Sequence, residues 1–336
     1  MGCAGHRRVV VLGGLCALAL WANPQEAVAD EGGVSFWLPG LFGSLAATPG
    51  VPGWSWATIY LHSEVAAGAD QQFPRGGRID VGISGKADLA LFGPTYTFAN
   101  PVLGGQFAVS VFGAAGRSDA SAAISLTGPM GNTIGLNRTQ DLTSFGDVVP
   151  QVTLKWNTGV NNLMVYGTGD IPVGDYDPNR LANLGIGHGA IDFGGGYTYF
   201  DQQAGNEFSW VAGLTDNFKN TDTQYRNGLD FHLDWGASHF FNKQFQLGVV
   251  GYYFQQVSDD FGAPPALNGF RSRVAGVGPQ VGFLFPIGDM QGYINLKGYK
   301  EFAAQNRPEG WNTWLTFVIS PAPPGPGSAK PISRKY

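Results

Sequence analysis

The stretch Arg78–Lys86 reads RIDVGISGK. Ile79, Val81 and Ile83 alternate with Arg78, Asp80, Ser84 and Lys86. Successive side chains of an extended strand point to opposite faces, so this period of two builds one apolar and one charged face. A soluble sandwich would bury the apolar face as core. A membrane barrel would turn it to lipid and leave the charged face to the lumen.

The same alternation recurs along the chain. Ala57, Ile59 and Leu61 oppose Thr58, Tyr60, His62 and Glu64, and Phe107, Val109 and Val111 oppose Gln106 and Ser110. Val152, Leu154 and Trp156 oppose Gln151, Thr153 and Lys155, and Phe208, Trp210 and Leu214 oppose Glu207, Ser209 and Thr215. Phe231, Leu233 and Trp235 oppose Asp230, His232 and Asp234. Ile294 and Leu296 oppose Asn295, Lys297 and Tyr299, and Leu315 and Phe317 oppose Trp314 and Thr316. Short turns at Asn100–Gly104, Thr158–Asn161, Asp201–Asn206, Asn242–Gln244 and Gly288–Met290 alternate with longer connections. These are Gly68–Gly77, Gly116–Ser144, Pro172–Gly187, Lys219–Gly228, Ser258–Arg271 and Ala303–Glu309. Short turns on one side and long loops on the other are the outer-membrane arrangement, with about twelve strands here. Weak alternation of Ile124, Leu126 and Ile134 leaves room for an extra hairpin inside the second long connection.

Composition agrees. The chain has 51 glycines in 336 residues, with aromatic and charged residues at 13% each. That charged share is about half the usual one for a soluble domain. Mean hydropathy is −0.05, which fits strands with one greasy and one polar face. A net charge of −5 argues against a nucleic-acid groove. Tyr96, Phe98, Trp156, Tyr197, Tyr199, Phe200, Phe240, Phe241 and Trp311 sit near strand ends, where amphipathic rings form the girdles of a barrel.

The start of the chain reads as an export signal. His6, Arg7 and Arg8 precede the uncharged apolar run Val9–Leu20, and Ala27-Val28-Ala29 fits small-x-small cleavage. Residues 1–29 are therefore read as a signal peptide, with Asp30 opening the mature chain. The run is too short to span a membrane as a helix, and Gly13, Gly14 and Leu15 before Cys16 do not suit a lipoprotein anchor. Cys3 and Cys16 both fall inside the signal, so the mature chain offers no disulfide, thiol nucleophile or thiolate metal ligand.

Residues 30–53 form a separate segment, apolar but cut by Pro39, Pro49 and Pro52. Proline prevents a long helix or a central strand, yet Phe36, Trp37 and Phe42 must be buried. This segment is expected to plug or gate the barrel, or to lie at the membrane interface. Residues 54–320 are the expected all-β, antiparallel transmembrane barrel, and the Pro-rich, then basic, residues 321–336 a flexible tail.

The polar faces place Arg78, Asp80, Lys86, Lys155, Glu207, Asp230, His232, Asp234 and Lys297 in the lumen. Asp230, His232 and Asp234 share one strand face, where two carboxylates flanking an imidazole could serve a metal or a proton relay. A water-filled polar lumen with paired charges is the preferred reading, and no metal or other cofactor is expected. Asp175-x-Asp177-x-Asn179 resembles the start of a calcium loop, but Arg180 replaces its glycine and Ile186 its final glutamate. The glycines at 185–189 and 194–196 lack the strand–loop–helix context of a phosphate loop. Ser238 and His239 are adjacent, so on a strand they point apart and make a poor catalytic pair.

Several stretches carry a family resemblance: Ser35–Ala46 (SFWLPGLFGSLA), Leu91–Tyr96 (LFGPTY), Gly169–Gly174 (GDIPVG), Leu181–Ala190 (LANLGIGHGA), Gly228–Trp235 (GLDFHLDW) and Gly278–Phe283 (GPQVGF). From about Gly33 to Ser320 the chain resembles the family of "meta-pathway of phenol degradation" proteins, transporter-like barrels of the bacterial outer membrane. The resemblance implies passage of small hydrophobic or aromatic solutes. It also suggests a plug like that of fatty-acid channels, which have more strands than counted here. Outer-membrane lipids, the outer-membrane assembly machinery and a small-molecule solute are the expected partners. A structural barrel with a closed lumen, or a lipid-modifying enzyme, are the alternatives.

Overall fold

The computed structural model describes residues 35–72, 78–262 and 271–323. The signal region, residues 1–29, and most of the expected tail lie outside them. The described residues contain no helix. Twelve strands follow one another: β1 (Gly53–Gln72), β2 (Arg78–Thr97), β3 (Gln106–Thr127), β4 (Thr133–Thr158), β5 (Asn161–Asp170), β6 (Ala190–Asp201), β7 (Asn206–Asn217), β8 (Asp230–Phe240), β9 (Phe245–Gln256), β10 (Arg273–Ile287), β11 (Met290–Gln305) and β12 (Glu309–Pro321). Each pairs with its neighbours in sequence, and β1 pairs antiparallel with β12, closing the barrel. In the membrane-spanning part closure leaves no edge with unpaired amides, the condition for a sheet to sit in hydrocarbon, whereas above it β1 past Ala66 and β4 before Val148 pair on one side only.

The connections at 159–160, 202–205, 241–244 and 288–289 are short, while those at the other end include 171–189 and 218–229. The first end is therefore periplasmic and the second extracellular. At the β4–β5 turn Gly159 has φ +79, a conformation that favours glycine at the head of a two-residue hairpin loop.

Strands β5 to β9 have 10 to 12 residues, the length that crosses a bilayer when tilted. Strands β1 to β4 have 20, 20, 22 and 26 and rise well beyond them on the extracellular side. The expected long connection at Gly116–Ser144 is mostly the upper part of β3 and β4, joined by a turn at 128–132, so no extra hairpin is added. At the base of this extension Gly113 faces Val148 and Ala115 faces Phe145, which puts one extra residue in β4. Such a bulge bends the strand and re-aims its side chains.

Within the membrane band, outward side chains are apolar. Val152, Phe208, Trp210, Leu214, Leu247, Val249, Leu296 and Leu315 are exposed on the barrel's outer surface, between the buried inward residues of the same strands. At the periplasmic end Trp54, Tyr96 and Phe98 form a row of ring contacts at 5.0 Å each. Trp311 stands at the other end, 5.0 Å from the His62 ring. A closed sheet with an apolar outer belt and aromatic margins is an outer-membrane barrel.

Candidate functional site

The lumen is occupied by the chain itself. Residues 35–48 enter the barrel as irregular backbone, and polar side chains of the inner wall bind that backbone directly. Ala47 N donates to Thr198 Oγ1 (3.0 Å), and Leu45 N to Glu207 Oε1 and Ser209 Oγ (3.0 Å each). Ser44 Oγ lies 2.8 Å from Ser238 Oγ and accepts from Gln280 Nε2 at 2.6 Å. Further up, Asp234 takes Gly40 N (2.9 Å) and Phe42 N (3.1 Å) on its two oxygens. Lys297 Nζ donates to the carbonyls of Gly40 (2.5 Å), Leu41 (3.0 Å) and Phe42 (3.2 Å). Lys155 Nζ reaches the carbonyls of Ala46 (2.7 Å) and Thr48 (3.3 Å).

A segment without helix or strand pairs few of its own amides, here Leu41 N to Leu38 O and Thr48 N to Leu45 O in two turns, and a buried unpaired amide is costly. The wall supplies what the segment lacks, with charged groups that make the stronger hydrogen bonds. Thr198, Glu207, Ser209 and Ser238 lie near the periplasmic ends of their strands, Asp234 is central and His232 lies in the extracellular half. The segment thus climbs most of the membrane band rather than stopping at the periplasmic mouth.

Its side chains divide the lumen in two. Trp37 and Phe42 pack with Met164, Tyr166 and Val211 on the β5–β7 side. The Trp37 ring stacks on His232 at 3.5 Å between centroids and 13° between planes. Leu38 and Leu41 pack on the other wall, against an apolar cluster of Leu61, Val250, Tyr252, Phe254, Val274, Tyr299 and Trp314. Of the three expected gate residues, Trp37 and Phe42 are inside the lumen in these stacks, while Phe36 is half-buried and enters neither cluster.

The expected lumen residues separate into two groups. Lys155, Glu207, Asp230, His232, Asp234 and Lys297 point inward. Asp230, His232 and Asp234 go to three different partners: Asn217 Nδ2 at 2.8 Å, Asp192 Oδ2 at 2.8 Å and the plug backbone. Among the described residues no His, Cys, Asp and Glu side chains group into a metal site. Arg78, Asp80 and Lys86 are not in the lumen. Leu61 pairs with Leu89 and Trp314 on the inner wall, so the even-numbered residues of β1 and β2 face outward. Arg78 binds Asp80 and Lys86 binds Glu64 on the outer surface (2.5 and 2.6 Å), while Ile79, Val81 and Ile83 take the inner face. These residues stand above the membrane, where the outer face meets water, so charges turn out and apolar groups turn in.

Sequence reading missed Asp192, Tyr166 and the apolar wall. Asp192 is 0% exposed and accepts from Thr215 Oγ1 at 2.5 Å as well as meeting His232. Its signal was present, since Ile191 and Phe193 flank it in alternation. Ser238 points inward to Gln280 and His239 outward to Asn206, so that pair is apart. In the loop at 171–189, Arg180 Nη2 binds Asp175 Oδ1 at 2.5 Å, and Asp177 accepts from Asn179 N at 2.9 Å. Arg180 beside Asp175 holds that carboxyl below its usual range. The same loop leans on the inner face of the β4 extension, where Arg138 Nη2 donates to Asn179 O at 2.7 Å.

The fold has solved relatives. An outer membrane channel from Pseudomonas putida F1 superposes with a TM-score of 0.58 at 13% identity, over 81% of this chain and 97% of that one. A FadL homologue from Pseudomonas aeruginosa gives 0.36 at 9% identity, over 80% and 87% of the two chains. The monoaromatic hydrocarbon channel CymD gives 0.37 at 7% identity, with the same two coverages of 80% and 87%. No curated protein matches the chain. The first likeness shows the barrel fold. A family model matches residues 69–317, most of the chain, and on that match the protein belongs to the family described as "Putative MetA-pathway of phenol degradation".

Proposed function

We propose that the protein is a gated channel of the bacterial outer membrane for small hydrophobic, chiefly aromatic, solutes, and that Ser35–Ala47 is the gate. One observation carries this reading: the plug is held through its backbone, whose amides donate to Asp234 and whose carbonyls accept from Lys297 and Lys155, inside a barrel that closes without it. Bonds of this kind exchange with water, each contributing about 0.5–3 kcal/mol net, so the segment can leave while the barrel stays folded. The apolar wall gives the solute class. From Phe254 and Val274 near the extracellular rim it continues through Tyr252 to the paired Leu61 and Trp314, with Tyr299 beside the plug. Apolar solutes leave water for such a surface.

The description of the family agrees with an aromatic solute. On this reading the chain is not an enzyme. The export signal at residues 1–29 and the tail from 321 belong to it as the parts that deliver and follow the barrel. A closed structural barrel is the second reading, favoured by the filling of the bore at plug level, where Trp37, His232, Asp234 and Lys297 are at most 3% exposed. Planar-bilayer recording separates the two. Deleting Ser35–Ala47 is expected to raise single-channel conductance and to speed passage of phenol or toluene relative to hydrophilic solutes of similar size. A folded deletion variant with unchanged conductance and uptake would leave the structural reading standing.

A further inference from the structure

The plug places a ring of its own in a slot built for rings. Trp37 is 2% exposed and stacks on His232 at 3.5 Å and 13°. Phe42 stacks on it at 5.7 Å and 21°, and Tyr166 leans on it at 6.0 Å and 32°. The wall behind is cut back to seat these groups. A Cβ on Gly213 would stand 2.3 Å from the Tyr166 hydroxyl and 2.7 Å from His232 Nε2, and one on Gly194 would stand 2.5 Å from the same hydroxyl.

Stacking is satisfied in this slot, but hydrogen bonding is not. The indole Nε1, His232 Nδ1 and Asp192 Oδ1 are all buried without a hydrogen-bond partner. His232 and Asp192 are each 0% exposed and joined at 2.8 Å, with the Tyr166 hydroxyl 3.2 Å from the same imidazole nitrogen. Polar groups inside a protein are normally paired, so an unpaired donor and unpaired acceptors around a stacked ring mark an imperfect occupant.

We propose that this slot is the binding site for a planar aromatic solute bearing a neutral hydrogen-bonding group, and that Trp37 is its intramolecular occupant, displaced when the solute binds. The proposal rests on the channel reading, which brings the solute to the slot. A phenolic hydroxyl has one proton to give, so it can donate to the carboxylate oxygen or to the imidazole nitrogen, both acceptors that the indole N–H leaves unpaired. Rings prefer offset stacking of the kind already present, and apolar pockets with few polar groups are the usual form of a small-molecule site. Charge sets the limit of the class. Asp192, Asp230 and Asp234 are all buried on this side of the lumen, so an aromatic carboxylate is disfavoured by like charge and desolvation. Competition for one slot couples recognition to opening: a bound solute leaves Trp37 without its stack, and the plug loses its uppermost anchor.

The test is binding, measured apart from transport. Full-length Trp37→Ala and Trp37→Ala/His232→Ala are purified in detergent, and the folded barrel is verified by its heat-dependent shift on a gel. Equilibrium dialysis with phenol, indole and benzoate follows. Trp37→Ala is expected to bind phenol and indole at least tenfold more tightly than the wild type, and benzoate at least tenfold more weakly than phenol. The double variant loses the gain. Equal binding by single and double variants, or benzoate bound as well as phenol, overturns the assignment. Binding as expected in a protein that passes no aromatic solute in bilayers keeps the site and removes the channel reading. No binding in a plug-deleted protein that does pass aromatics removes the site and keeps the channel.

Discussion

The two ends of β3 carry opposite polarity. Near the periplasm Phe107, Val109 and Val111 face outward and Ser110 inward. Above the membrane Arg117 and Asp119 face outward, and Ala122, Ile124 and Leu126 inward. The β2–β3 ladder keeps one register along its length, so no slip produces the change. One strand therefore meets lipid outside and a polar lumen inside over its lower half, then water outside and an apolar inner face over its upper half. The apolar inner face of the extension, with Val81, Ile83 and Ile124 paired across β2 and β3, lies above the apolar wall of the lumen. A solute that avoids water meets a surface of its own kind from the extension down to the plug.

The largest test of this contrast is energetic. Val249 lies near the middle of β9, faces outward and is 46% exposed on the outer surface. Val249→Arg is expected to cost about 2–4 kcal/mol, the penalty for arginine on a lipid face near the bilayer midplane. Ile124→Arg, on the inner face of the extension, should leave the urea midpoint in liposomes unchanged. Equal losses at both positions would mean that the inner face of the extension is as closed to water as the lipid face and that the contrast of its two ends is wrong.

That contrast also explains what was legible in the sequence. Strand existence, closure and the five short turns follow from period two and turn residues, which depend on local chemistry. Lys155, Glu207, His232 and Lys297 were readable as inward because they sit on stretches of strand inside the membrane band, where apolar means out. Arg78, Asp80 and Lys86 were not. Alternation fixes which residues share a face but not which face turns inward, and the height of a strand above the bilayer does not show in its own residues. The apolar wall escaped for a related reason: Leu61 and Trp314 look lipid-facing or girdle-like until the barrel closes β1 on β12. The plug was legible as a segment that needed burial, whereas its partners, brought together across as many as 259 residues between Gly40 and Tyr299, were not.

A second test sharpens the division of the lumen itself. Lys297→Met removes a donor shared by three plug carbonyls and leaves Asp234 holding two amides from the other side. Hydrogen bonds to charged groups are worth about 1.5–3 kcal/mol each, enough to shift the plug toward its released state by tenfold or more. Longer and more frequent openings are expected in single-channel records. Leu41→Ala, which trims apolar packing only, should have a smaller effect in the same direction. The reverse order would mean that packing on the apolar wall, not backbone bonding, holds the gate.

A smaller effect is expected where the apolar inner face starts. Ile83→Arg interrupts that face without touching the plug. Initial uptake of toluene into liposomes should fall a few-fold, while uptake of a hydrophilic solute of similar size is unchanged. Lys86→Met, on the outer face of the same strand, should alter neither rate, since an exposed ion pair contributes little. A loss with Lys86→Met equal to that with Ile83→Arg would place the solute path on the outside of the extension.

The smallest effect concerns the loop at 171–189, which covers the inner face of β4 between the two regions. Leu184 N and Gly185 N both donate to the Asp175 carbonyl, at 3.2 and 3.1 Å, and the Asp175 side chain is held by Arg180. That contact keeps the Asp175 carboxyl below its ordinary 3.8. A carboxyl lowered in the folded state stabilises the fold above its unfolded value and loses that contribution as pH falls through the lowered one. The loop should therefore be firmest above about pH 4 and loosen progressively below it. The carboxylate is 37% exposed, so solvent screens the pair and the change is modest. Hydrogen exchange at Leu184 and Gly185, corrected for the intrinsic rate, reads it directly. Protection should fall on acidification in the wild type and stay flat with pH in Asp175→Asn, whose side chain cannot titrate. An equal acid loss in both proteins would assign the pH response to another carboxylate, and the loop would then be fastened to the extension independently of its own ion pair.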